Sequence, residues 1–221
     1  SVTVADGFTA TEASAKITNS VSTAAQTIHD VSVNAQTDSA DTTVRRPKDA
    51  QYAGANKSVA DVSAQYRTWN PWDSNAYVVE GDYVLYKIEF TNSGETPITG
   101  ATITDTLPEG LTAAKDITGD NYQNVQNKFN DQGLYDGLIR LNNASNYNGP
   151  WVENGTANAN ASDEGKTVTF SNVSVNAGGT FEAYILAKVT GSVNGKTTRI
   201  NSVTINDEAY TASINQQPKK A

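Results

Sequence analysis

Few residues in this chain can do covalent chemistry, and their placement narrows the options further. His29 is the single imidazole among 221 residues. A Ser-His-Asp system would need it to meet a serine in a pocket, and nothing around it marks one. A strand-surface histidine is the plainer reading. There is no cysteine, which removes thiol nucleophiles, disulfides and cysteine-type zinc sites. The 24 acidic residues suffice for glycosidase-type carboxylate pairs, but no motif selects a pair. The chain is therefore expected to be non-enzymatic. Two polar residues stand out by their phase. Asp105 shares a strand face with Ala101, Ile103 and Leu107, and Asn201 shares one with Val203 and Ile205. Burying a carboxylate is costly unless it is paired or neutral. One reading has Asp105 capping the Leu-Pro-Glu-Gly turn that follows and Asn201 bonding to backbone.

The elements that must position these residues are short strands. Val84, Tyr86, Ile88 and Phe90 alternate with Leu85, Lys87 and Glu89, a period of two. Asn92 to Pro97 is a turn cluster, and a second strand runs over 100–107 until Pro108-Glu109-Gly110 stops it. Further strands are expected over Lys57 to Gln65, Thr167 to Ser171 and Thr180 to Val189. Arg199 to Ile205 and Ala209 to Asn215 form a closing hairpin. The pattern predicts an all-β, immunoglobulin-like β-sandwich over 51–221. Within it, 112–165 reads as a long loop insertion, with one short helix over about 121–131 from the spacing of Tyr122, Val125 and Phe129. Residues 1–50 form a polar extension with strands over Ala15 to Val21 and His29 to Asn34. A linker is expected over Asp38 to Asp49. Position 1 is Ser rather than Met, which suggests a processed or trimmed chain.

Three blocks resemble a known family. Gly81 to Ile88, Asn92 to Gly94 and Thr104 to Leu111 together resemble the signature of the immunoglobulin-like repeat domain of prokaryotic cell-surface proteins and adhesins, which runs Gly-Asp-x-Val-x-Tyr-x-Ile, Asn-x-Gly and Thr-Asp-x-Leu-Pro-x-Gly-Leu. Val175 to Phe181 is similar to its strand–Gly–strand corner. Ile200 to Thr204 is similar to its terminal Asn-x-Ala strand, with Val203 in place of Ala. The resemblance implies an extracellular or cell-surface structural role. It also implies a cross-link, because similar surface domains sometimes join a lysine to an asparagine through an isopeptide bond, helped by a buried protonated acid. On that pattern Asp105 takes the acid role, Asn201 the amide role and Lys57 the amine role. Lys87 alternates outward and suits the last role less well.

Other constellations remain beside this one. The net charge of −8 argues against nucleic acid as a partner, and no apolar run is long enough to span a membrane. No cofactor is expected, although Asp116, Asp120, Asp131 and Asp136 offer hard oxygen donors for calcium. Trp69, Trp72, Tyr147 and Trp151 could form an aromatic platform for glycan or for a host or cell-surface protein, or could plug the sandwich. The ends of the chain also resemble each other. Asn19-Ser20-Val21-Ser22 matches Asn201-Ser202-Val203-Thr204, and Ser32 to Gln36 matches Ser213 to Gln217. An N-terminal segment carrying Ile17, Asn19, Val21, Val31 and Val33 could thus be the tail of a preceding repeat. It could instead be a strand given to a neighbouring copy, which would build a homopolymer head to tail.

Overall fold

A computed structural model describes residues 14–61, 75–115, 117–118 and 146–220. The chain divides into two units, Ser1–Lys48 and Asp49–Ala221. Among the described residues there is no helix, and the short helix expected over 121–131 lies outside them.

The first unit is a ribbon. Strand β1 (Ser14–Thr23) pairs antiparallel with β4 (Gln36–Arg45), with Asn19 opposite Ala40. Between them β2 (Gln26–Ile28) and β3 (Val31–Val33) make a small hairpin. His29 and Asp30 turn its tip with φ of 50° and 63°. Two successive left-handed residues match the twist of a tight hairpin, and His and Asp tolerate that region better than most residues. This breaks the strand expected over His29 to Asn34. The linker expected over Asp38 to Asp49 is strand as far as Arg45, because Thr42, Thr43 and Val44 favour extended backbone and have a partner in β1.

The second unit is the sandwich. One sheet runs β12 (Trp151–Asn154), β15 (Thr180–Val189), β7 (Tyr83–Asn92), β5 (Tyr52–Asp61), with β9 (Leu111–Ala113) also on β15. The other runs β13 (Thr156–Ala161), β14 (Thr167–Val175), β8 (Ile98–Thr106), β16 (Thr197–Ile205), β17 (Glu208–Gln216), β6 (Asn75–Val78). Only the β17–β6 pairing is parallel among these. A small pair, β10 (Ile117–Thr118) with β11 (Asn146–Tyr147), stands apart. The expected alternation holds. Tyr86, Ile88 and Phe90 face Phe170, Val203 and Ile214 across one apolar core.

Two features depart from the expected plan. Trp151–Asn154 and Thr156–Ala161 are strands rather than loop. The sheet containing β15 is also buried on its second face, where Leu85, Trp151, Tyr184 and Leu186 are all at most 4% exposed. Asn92 pins the corner between the sheets. Its carbonyl oxygen accepts from the Gln51 and Gly94 amides, and its amide nitrogen donates to the Thr96, Val175 and Asn176 carbonyls. At the other end Gly110 has φ of 81° and lies under the Arg199 guanidinium, which fills the space a side chain would need.

Candidate functional site

Lys57 points into the core because of a bulge. Strands β5 and β7 slip by one residue between Ala53 and Asn56, beside Gly54 with φ of 62°. The extra residue changes the phase of everything after it. Lys57 therefore pairs with Ile88, an inward residue, and its side chain is fully buried. From the opposite sheet, β8 presents Asp105 on the face of Ile103. In the β8–β16 register Asp105 lies beside Val203. Asn201 follows on that same face, two residues along β16.

The Lys57 Nζ meets Asp105 Oδ2 in a buried contact, with both side chains at 0% exposure. Burial pushes the Lys57 ammonium well below the usual lysine range. The same Nζ lies 5.0 Å from the centre of the Tyr86 ring. Asn201 is 0% exposed, yet neither its Oδ1 nor its Nδ2 has a hydrogen-bond partner. Asp105 Oδ1 and the Tyr86 hydroxyl are also without partners. Tyr86 and Asn201 lie close enough to influence each other but do not complete a well-aligned bond. Each buried orphan costs about 1–3 kcal/mol. A cluster of four such atoms is therefore expensive, and it contains an amine, an acid and a carboxamide in a fully buried space. That is the set of groups required for amide exchange. It also corrects the alternative reading of these residues, since Asp105 caps no turn and Asn201 bonds no backbone.

The other expected sites fare differently. Tyr147 and Trp151 are 4% and 2% exposed. Trp151 stacks on Tyr184 at 4.9 Å and meets Tyr147 edge-on at 5.9 Å. Covered on both sides, these rings are structural and do not form an exposed ligand platform. Trp69 and Trp72 lie outside the described residues, as do Asp116, Asp120, Asp131 and Asp136. Among the described residues no group of three or more acidic or histidine side chains could hold a metal ion. His29 sits exposed at the ribbon tip. Lys87 is an outward lysine paired with Glu89 at 3.0 Å.

In the ribbon, Ile17, Val21, Val31 and Val33 are 37%, 66%, 64% and 49% exposed, and Asn19 is exposed with them. The second half of the expected repeat fails, because Ser32 to Ala35 does not pair with the strand carrying Asn19, and only Gln36 does, opposite Thr23. A different correspondence replaces it. Asn19 pairs with Ala40, and Asn201 pairs with Ala212. Each asparagine begins Asn-Ser-Val and has an alanine across from it.

Sequence reasoning missed Tyr86 as a member of the site. Its signal was present, since Tyr86 is the tyrosine of the Gly-Asp-x-Val-x-Tyr-x-Ile block and faces the same way as Ile88.

No family profile matches the chain, and no curated protein does. Solved structures with some likeness include the collagen-binding domain from a Staphylococcus aureus adhesin, with TM-score 0.36, 10% identity, and coverage of 74% of this chain and 98% of that one. BcpA, the major pilin subunit of Bacillus cereus, has TM-score 0.38 and 11% identity, with 82% of this chain and 51% of that chain covered. The C-terminal domain of the antigen I/II-family protein AspA of Streptococcus pyogenes has TM-score 0.35 and 13% identity, with 93% of this chain and 55% of that chain covered.

Proposed function

We propose that this chain is a non-enzymatic structural module of a cell-surface protein, held closed by an isopeptide bond between Lys57 and Asn201. One observation carries the reading: the orphaned atoms of Asp105, Asn201 and Tyr86 gather around a buried lysine. In the reaction the neutral Lys57 amine attacks Cγ of Asn201, forming a C–N bond. The Asn201 Nδ2 then leaves as ammonia. Asp105 carries one proton from the attacking amine to the leaving nitrogen and is unchanged at the end. No redox partner is required. Burial favours the neutral amine–acid form of the pair, since separated charges lose their hydration there.

Intact mass tests the bond. The purified protein should be lighter than its sequence by one ammonia, and a mass equal to the sequence sum would sink the reading. Closure needs an uncharged Lys57. Because burial lowers the lysine's proton affinity, closure should proceed at neutral pH and slow as acid protonates the amine. Raising the pH toward the ordinary lysine range should add little. A rate that climbs steadily up to that range would place the amine in solvent instead.

The ribbon supplies the second half of the proposal, which is assembly with a second copy of the chain. Its outer strand edges are unpaired among the described residues, and such edges template β-addition. Its apolar side chains are exposed. It also repeats, in register, the Asn-Ser-Val strand and facing alanine of the hairpin that closes the sandwich. A head-to-tail contact of this kind is heterologous and extends into a filament. Light scattering and electron microscopy of the full chain test it, compared with a chain lacking residues 1–48. Particles of equal size would overturn it.

A further inference from the structure

We propose that the Tyr86 hydroxyl is the donor that holds the Asn201 carbonyl oxygen while the Lys57–Asn201 bond forms and after it has formed. The inference rests on the cross-link reading above and assigns a role that the amine, the acid and the amide leave vacant. Tyr86 sits mid-strand in β7, opposite Val59 on one side and Ile185 on the other. All three are 0% exposed, so the ring is fixed. It reaches across the core with Lys57 Nζ 5.0 Å from its centre and its hydroxyl beside the Asn201 amide.

The polar inventory points to the pairing. The hydroxyl has one hydrogen to give and no acceptor, while Asn201 Oδ1 has no donor. Asp105 Oδ1 is also free. Closing the bond removes the Asn201 Nδ2 and leaves one N–H and one C=O. The N–H lies where the Lys57 amine already meets Asp105, and the C=O remains for Tyr86. The Asn201 oxygen and the Tyr86 hydroxyl then partner each other.

The chemistry needs the same division of labour. Attack on the amide carbon builds negative charge on its oxygen. A fixed donor aimed at that oxygen, in a fully buried site, lowers the barrier. Asp105 is occupied by the amine and by the proton it must move. Burial raises the proton affinity of the Tyr86 hydroxyl, so it stays a donor throughout the physiological range.

Tyr86→Phe tests the assignment, since it keeps the ring and removes only the donor. Wild-type protein taken soon after synthesis should already be lighter by one ammonia. The Phe variant should close roughly a hundredfold more slowly and show the unreacted mass for correspondingly longer. The same change in an Asn201→Ala background, where no bond can form, should shift the melting temperature little, which separates lost chemistry from lost packing. Ile88→Val thins the same core without removing a donor and should close at the wild-type rate. A ring-fluorinated tyrosine at position 86, a stronger donor, should close faster. A Phe variant that closes as fast as wild type, or a fluorinated one that closes no faster, overturns the role of Tyr86. A wild-type chain that shows the sequence mass would instead remove the cross-link reading itself.

Discussion

The ribbon and the sandwich use the same words differently. Asn19-Ser20-Val21 and Asn201-Ser202-Val203 both form strand, both run antiparallel to a partner, and both set the asparagine opposite an alanine. Yet Asn201 and Val203 are 0% exposed, while Val21 is 66% exposed. Local sequence is enough to make the strand and choose its face. Burial requires a second sheet, and Asn201 has one. A polar side chain costs nothing in the ribbon, where water serves it. In the sandwich the same side chain is an unmet demand unless chemistry resolves it.

The sharpest way to break the comparison is to make Asn201 as harmless as Asn19. Asn201→Ala should abolish the bond and restore the sequence mass. By analogy with a disulfide closing a loop of more than a hundred residues, the loss is roughly 5 kcal/mol. For a domain of this size that corresponds to a melting temperature lower by about 10–20 °C. An unchanged melting point would mean that no covalent lock was present. Asn92→Ala comes next. It removes five backbone contacts at a buried corner and should cost about 3 kcal/mol, measured by urea unfolding.

Changes in the ribbon should barely register in the sandwich. Ile17→Asp with Val21→Asp should move its stability by no more than about 0.5 kcal/mol while reducing particle size in solution. A large fall in sandwich stability would show that the ribbon packs as core. The smallest effect belongs to Lys16, whose exposed contact with Asp41 at 2.6 Å is screened by solvent and salt. Lys16→Ala should leave the melting curve unchanged. Amide hydrogen exchange gives the complementary reading, with β1 and β4 exchanging far faster than β7 and β15.

Much of this arrangement could be read from residue order. Alternation alone put Asp105 with Ile103 and Asn201 with Val203 on inward faces, because a period of two admits one other choice and the apolar neighbours exclude it. Lys57 was harder. Its inward phase depends on the slip at Gly54, and an isolated glycine in a strand hints at a bulge without showing which residues follow it. The sequence pattern starts the strand at Lys57, whereas it begins at Tyr52. Trp151 misled for a different reason. Its neighbourhood is rich in Asn and Gly and reads as loop, but edge strands tolerate such composition once a partner such as β15 is available. The nearly unbroken run from Ala183 to Val189 carried the missing clue, since a strand covered on one face would alternate more strictly.

The position of the lysine and the asparagine along the chain has a mechanical meaning. Lys57 lies in the first strand of the sandwich, and Asn201 in the strand before its last. With the bond closed, a pull applied at the two ends of this unit enters at residue 57 and leaves at residue 201 without passing through what lies between. That intervening chain would stretch to on the order of 500 Å at about 3.4 Å per residue, and none of it can be drawn out under load. The module would then behave under tension as a short inextensible link, however many of its hydrogen bonds are lost.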